Sequence, residues 1–293
     1  MASNSVLPAK VASSAAPRRI KVLRPPSFSP LRIVRDLAIL LQYRDLLYTL
    51  SAHRIKVRYK QSALGIAWAI IQPLSLMLVY TLVFTVITRV PTASETPYPI
   101  LIYPGLMLWT FFSTALTTAT NALVSHNHLV TKIYFPREIL PLTYVIAGLF
   151  DLIIASPVLL GLMIYYQVPL TLNALFAIPI IFIMAMFVMA AGLIFSAVQV
   201  RFRDVGMALP LLLQIWMFAS PVAYPLSVIP ERFRGIYMLN PMAGIVENFR
   251  RVLVEGSSPN FYELGASALA ALILLPAAYI FFKHFEATLA DII

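Results

Sequence analysis

Residues 174–199, ALFAIPIIFIMAMFVMAAGLIFSAVQ, run for 26 positions without a charged side chain. About 20 apolar residues wound as a helix cross the hydrocarbon core of a bilayer, so this stretch reads as a membrane span. Working outward, five more stretches of the same character are found, at about 64–88, 104–125, 141–166, 206–226 and 261–282. Composition agrees: 60% of the 293 residues are hydrophobic and 12% are charged, about half the charge of ordinary soluble chains, and mean hydropathy is +0.84. A soluble globule is excluded, and the fold class is an all-α integral membrane protein with six transmembrane helices. With no cysteine in the chain, disulfide scaffolds, thiolate metal sites and cysteine nucleophiles are excluded as well.

Orientation follows from charge. Of the net charge of +10, essentially all lies in residues 1–60, where twelve of the 22 Lys and Arg residues face two acids, Asp36 and Asp45. Such a block before the first span reads as a cytoplasmic, membrane-surface segment rather than a nucleic-acid site. Six spans put both termini on one side. With that side cytoplasmic, 17 Lys and Arg residues lie inside and five (Arg89, Arg232, Arg234, Arg250 and Arg251) outside. Residues 1–30, rich in Ala, Ser and Pro, read as a disordered basic tail, 31–63 as a cytoplasmic or interfacial amphipathic helix region, and 64–293 as the transmembrane domain.

Some spans carry polar residues. Asp151 stands mid-span, either as a proton relay or as an acid paired with a neighbour across the bundle. The second span carries Thr110, Ser113, Thr114, Thr117, Thr118, Thr120 and Asn121, a face for close helix packing or for lining a pore. Pro73, Pro179, Pro210 and Pro221 mark kinks or first turns.

Three segments are not simple spans. In YRDLLYTLSAHRIKVRYKQSA (43–63), Leu46, Leu47 and Leu50 form a short apolar stripe, and Arg54/Arg58 and Lys56/Lys60 repeat at i,i+4. The segment reads as a helix lying on the membrane, its bases serving as a topology anchor or pointing at headgroup phosphates. In SHNHLVTKIYFPREILP (125–141), Leu129, Val130, Ile133 and Tyr134 sit on one helical face, giving a short docking helix over about 126–136. His126 and His128 have no third ligand nearby, so no metal is expected. In 225–260, Asn240 stands at an N-cap position, Pro241 at the first helical position and Gly256 just past the end, with Met242, Ile245, Phe249, Val252 and Leu253 as one stripe and Glu247, Asn248, Arg250 and Arg251 largely off it. Pro230 opens a shorter helix before it. Such a pair, over about 229–256, suits a re-entrant hairpin acting as a gate, with a passive surface cap as the alternative.

No phosphate-binding G-x-x-x-x-G-K-[ST] loop, no G-x-S-x-G and no clustered metal set occurs, so the chain does not hydrolyse ATP itself. Three stretches, RIKVRYKQSALGIAWAIIQPL (54–74), KIYFPREILPL (132–142) and VRFRDVGMALPLLLQIWMFASPVAYPLSVIP (200–230) followed by LNPMAGIVENFRRVLVEG (239–256), resemble the ABC-2-type permeases that export polysaccharides such as O-antigen and teichoic acid. The resemblance implies a homodimer in the bacterial inner membrane, paired with two copies of a separate ATPase that carries ATP and Mg, and passing a polyprenyl-pyrophosphate-linked glycan. It also implies that Arg54, Lys56, Arg58 and Lys60 receive the lipid pyrophosphate; that His126, Asn127, Lys132, Tyr134, Arg137 and Glu138 meet the ATPase; and that Asn240, Pro241, Glu247 and Arg250 shape the outer gate. A glycan channel would use aromatic faces, for which Trp68, Tyr80, Phe84, Trp109, Phe112 and Trp216 are the candidates, although Trp and Tyr also gather at membrane interfaces. An ABC-2-type exporter of a small molecule or lipid is the alternative. A secondary transporter would show internal repeats or several intramembrane ionisable groups, and an embedded enzyme would need more than Asp151.

Overall fold

The computed structural model describes residues 39–60, 62–87 and 96–292. The basic tail and the residues around Arg89 lie outside them. All regular structure among the described residues is helical: α1 (Arg44–Lys60), α2 (Trp68–Thr81), α3 (Tyr98–Thr120), the short α4 (Ala122–Ser125) and α5 (Asn127–Lys132), α6 (Ile139–Tyr165), α7 (Ala177–Arg201), α8 (Val205–Phe218), α9 (Glu231–Tyr237), α10 (Pro241–Leu253) and α11 (Phe261–Ile292). Among the described residues, five stretches are long and apolar enough to cross a membrane, Gly65–Thr85, Tyr98–Thr120, Ile139–Tyr165, Leu172–Arg201 and Phe261–Glu286, and they fall on five of the six expected positions. The chain is a multi-pass membrane protein.

The remaining stretch, expected as a span over 206–226, is helical only in α8, for 14 residues. Pro221 accounts for the stop, because it has no N–H for a continuing helix and disfavours helical geometry in the residue before it. Residues 219–225 instead form an irregular segment in which Ser220, Val222 and Ala223 are buried.

The centre of the bundle is α3, which touches α2, α6, α7, α8 and α10. Small residues let its neighbours approach. A Cβ on Gly148 of α6 would stand 3.0 Å from the Ala115 Cβ and the Phe111 ring, and one on Gly192 of α7 would stand 3.1 Å from the Ala119 Cβ. Of the hydroxyls on α3, Thr110, Thr118 and Thr120 donate to carbonyls one turn back in the same helix, at 2.7–2.8 Å, which satisfies them inside an apolar bundle. Elsewhere in the bundle α10 lies against α11, where a Cβ on Gly244 would stand 2.3 Å from Ser267 Oγ and 2.7 Å from the Glu263 carbonyl oxygen. Only glycine permits that approach.

Candidate functional site: a basic cavity, an exposed knob and an outer clamp

A cavity of about 490 Å³ opens between α1, α3 and α6, lined among others by Arg54, Arg58, Thr114, Thr118, His126 and Tyr144. It exists because α1 packs along α6. Leu46, Leu47 and Leu50, expected to face lipid, pack on the apolar cluster around Leu123, Val130 and Leu140. The Arg54 guanidinium stacks 4.1 Å from the centroid of the Tyr144 ring and donates to the Tyr144 hydroxyl. One turn later Arg58 Nη1 donates to Asp151 Oδ2 at 2.5 Å, and Tyr59 donates its phenol to Asp151 Oδ1. Asp151 lies about 18 Å along α6 from Ile139 at 1.5 Å per residue, so α1 carries cationic side chains deep into the bundle. Of the four bases read as facing headgroups, Arg54 and Arg58 bind protein groups, Arg58 while remaining exposed, and Lys56 and Lys60 are exposed as well. Asp151 is a paired acid.

The local electrostatics are those of a partly buried, cationic pocket. Burial lowers the Arg54 guanidinium below the ordinary arginine value, with Tyr144 opposing the shift. Burial, reinforced by Asp151, pushes the Tyr59 phenol up, so it remains a proton donor. His126 is lowered chiefly by burial and further by Arg54 and His53, against a backbone hydrogen bond that raises it. Its Nδ1 lies 2.9 Å from the Ala122 carbonyl and its Nε2 2.5 Å from Arg54 Nη2. The neutral ring therefore donates from Nδ1 and accepts at Nε2.

The docking segment is shorter than expected. Its helix stops at Lys132, and Ile133 is extended, so Leu129 and Val130 face inward while Ile133 is 56% and Tyr134 96% exposed. Asn127 and Lys132 are exposed too, whereas His126 faces the cavity. Glu138 is turned inward as well. Its carboxylate, 3% exposed, accepts from Lys283 Nζ at 2.9 Å and from the Tyr279 hydroxyl at 3.2 Å, and Lys283 also binds Glu286 at 2.8 Å. Arg137 donates to the Glu286 carbonyl at 2.7 Å. The elbow after α5 is thereby tied to the end of α11.

On the opposite side Arg250 has no exposed surface. Its Nε donates to the Leu101 carbonyl at 2.8 Å, Nη1 to Glu247 Oε2 at 2.5 Å, and Nη2 to the Pro221 carbonyl at 2.8 Å and the Val222 carbonyl at 3.3 Å. Arg250 and Asn248, read as lying off the buried stripe of α10, are both enclosed. Burial is possible because the irregular segment after α8 supplies free carbonyls. Asn240 caps α10 as its position suggests. Its Oδ1 accepts from Met242 N and Trp216 Nε1, both at 3.1 Å, and its Nδ2 donates to Ser220 Oγ at 2.8 Å and the Ala219 carbonyl at 3.2 Å. One side-chain amide thus uses all four of its hydrogen-bonding places to join α8, the irregular segment and α10.

The six aromatic candidates separate. Trp109 and Phe112 are enclosed, 4% and 0% exposed, and Phe112 stands 5.1–5.9 Å from Trp109, Phe187 and Trp216. Trp216 is partly exposed and bound to Asn240. Tyr80 and Phe84 pair with each other at 6.1 Å, and Phe84 meets Tyr98 at 5.7 Å. Trp68 is half exposed. A groove of about 390 Å³ between α3 and α8 is lined by Trp109, Ser113, Thr114, Thr117, Thr118 and Gln214, with Pro210, Leu213 and Met217.

The ABC-2 type transporter family matches residues 45–254, more than two thirds of the chain. The chain belongs to that family. Across 86% of its length this ABC-2 chain is 35% identical to the O-antigen export system permease protein RfbA of Myxococcus xanthus, of which 96% is covered. It is also similar to the RfbA of Klebsiella pneumoniae, at 27% identity over 85% of this chain and 95% of that protein. The polysialic acid transport protein KpsM of Escherichia coli follows, at 25% identity over 75% and 86%. In the ABC-2 chain, sequence reasoning missed Tyr59, Tyr144, Lys283 and Tyr279 as partners. An acid in mid-span demands a base, which signalled Arg58 in principle, but nothing in the spacing marks a phenol 92 or 141 residues away.

Proposed function

We propose that this chain is the channel-forming permease subunit of an exporter that moves a polyprenyl-pyrophosphate-linked, O-antigen-like polysaccharide outward across the bacterial inner membrane. In this reading two copies pair, two ATPase subunits bring ATP and Mg, both termini are cytoplasmic, and α8 with residues 219–226 forms the sixth crossing. The observation that carries the reading is the basic cavity. Two arginines, one turn apart, face a partly desolvated space on the side to which the charge bias assigns the cytoplasm. A guanidinium binds phosphate oxygens bidentately, and more strongly where water is excluded. From there a glycan passes along the groove between α3 and α8, where Ser113, Thr114, Thr117, Thr118 and Gln214 offer hydroxyl and amide partners and no charge that would arrest a sliding neutral chain.

The ATPase engages the protruding Tyr134, Ile133 and Lys132. A push there reaches α11 through Glu138–Lys283, and α11 carries it to α10, whose clamp on residues 219–222 and Leu101 is the outer gate. The polysaccharide is brought to this chain by its likeness to the RfbA and KpsM proteins. The test is lipid-linked glycan export in membranes holding the chain and its cognate ATPase. Arg54→Gln is expected to lower export at least tenfold with the complex intact. Unchanged export would refute the entrance, and failure of the wild-type chain to co-purify with an ATPase would refute the subunit role.

A further inference from the structure

We infer that Asp151 is a displaceable counter-anion, holding Arg58 while the cavity is empty and yielding it to the phosphate of an incoming lipid headgroup, which leaves Tyr59 to hold the end of α1 to Asp151 and so loosens that end on α6. The inference rests on the reading of the cavity as an entrance. Three observations carry it. First, the cationic charge is unbalanced: among the described residues Arg54 has no carboxylate within 4.0 Å, and the one carboxylate on Arg58 is Asp151. Second, the pair is asymmetric. Arg58 is 43% exposed and borders the 490 Å³ cavity, whereas Asp151 is 16% exposed and lies behind it, lining a much smaller void of about 20 Å³ that shares Arg58, Thr114 and Gly148 with the cavity. The guanidinium can therefore swing into the open space without moving the helix that carries its partner.

Third, the carboxylate is not abandoned when that happens. Tyr59 keeps its hydrogen bond to Oδ1, so the cost of the exchange is lower than that of an uncompensated buried charge. An acid in mid-span is expensive to keep, and apolar contacts would anchor α1 more cheaply. The charge makes sense if the anchor has to be released by another anion. The ligand class is then a phosphate or pyrophosphate, and the loosening of the end of α1 is driven by the headgroup's own binding.

The test uses the complex with its ATPase in nanodiscs, titrated with polyprenyl pyrophosphate lacking glycan, with the matching polyprenol, and with inorganic pyrophosphate, while hydrogen exchange is followed over residues 54–60. Wild type is expected to bind polyprenyl pyrophosphate and to exchange faster in this segment on binding. Asp151→Asn, isosteric and uncharged, is expected to exchange faster already without ligand and to bind about tenfold tighter, as for a state populated one part in ten becoming dominant. Tyr59→Phe, which keeps both charges, is expected to weaken the latch and tighten binding to a smaller degree. Binding by Asp151→Asn that is no tighter than wild type would overturn the exchange and leave Asp151 an anchor. Absence of binding to wild type would instead overturn the entrance reading. A response to inorganic pyrophosphate as large as to the lipid would keep the exchange and assign it to a soluble phosphate.

Discussion

Replacing Arg250 by Met keeps an unbranched apolar stem and removes five N–H donors from a side chain with no exposed surface. The ion pair with Glu247, whose side chain is 16% exposed, is lost, and removing one partner of a buried pair costs about 3–5 kcal/mol because the other charge is left uncompensated. The carbonyls of Pro221 and Val222 lie outside regular helix and lose their donor too, at about 1 kcal/mol or more each. The expected loss is thus about 5–7 kcal/mol, beyond what most single substitutions cause. The test is equilibrium unfolding of the purified chain in mixed micelles. Glu247→Gln combined with Arg250→Met is expected to recover about 2 kcal/mol relative to Arg250→Met alone, since the stranded charge is gone while the orphaned carbonyls remain. A loss under about 1 kcal/mol for the single variant, or a double variant no more stable than the single, would refute the clamp.

Four further outcomes follow from the same geometry. Gly105→Ala would bring a methyl to 2.6 Å from the Val222 carbonyl oxygen; because that contact is to backbone, a cost of about 1–3 kcal/mol is expected in the same unfolding assay. Lys283→Gln leaves the Glu138 carboxylate without its cation and is expected to cost about 3 kcal/mol, much of it restored when Glu138→Gln is added. Tyr134→Ala, at a side chain 96% exposed, is expected to leave unfolding within about 0.5 kcal/mol of wild type while reducing co-purification of the ATPase. His126 titrates in the folded chain below its ordinary 6.5, so below that value the unfolded chain takes up more protons. Its contribution to stability is complete above about 6.5 and declines as pH falls further. The melting temperature between pH 7.5 and 5.5 is expected to drop less for His126→Gln than for wild type.

The bundle was legible in sequence because its signal is long: twenty-odd apolar residues are read the same way whatever surrounds them. The capped helix at Asn240 and Pro241 was legible for a different reason, since caps are local chemistry. What escaped was decided by other parts of the chain. Arg250 reads as an outer-side surface charge until the break at Pro221 is known to offer it carbonyls. Glu138 reads as a docking residue until Lys283, 145 positions later, arrives at the same corner. The stripe of Leu46, Leu47 and Leu50 is apolar in either setting, and periodicity does not distinguish a lipid face from a protein face. The docking helix ends at Lys132 because Ile133 is extended, which breaks the helical spacing that would carry the stripe on to Tyr134.

The shortness of α8 reaches beyond the protein. At 1.5 Å per residue its 14 residues rise about 21 Å, some 9 Å less than a typical hydrocarbon core, and its outward side chains Met207, Leu211, Leu212, Ile215 and Phe218 are 53–75% exposed in the single chain. Against bulk lipid such a helix draws headgroups inward and thins the leaflets at a cost that grows with each ångström of mismatch. A second protein surface on that side would relieve the strain, and so would a thinner bilayer. In the proposed sixth crossing, membrane thickness is thus a force acting on a wall of the bundle whose helix stops at Phe218.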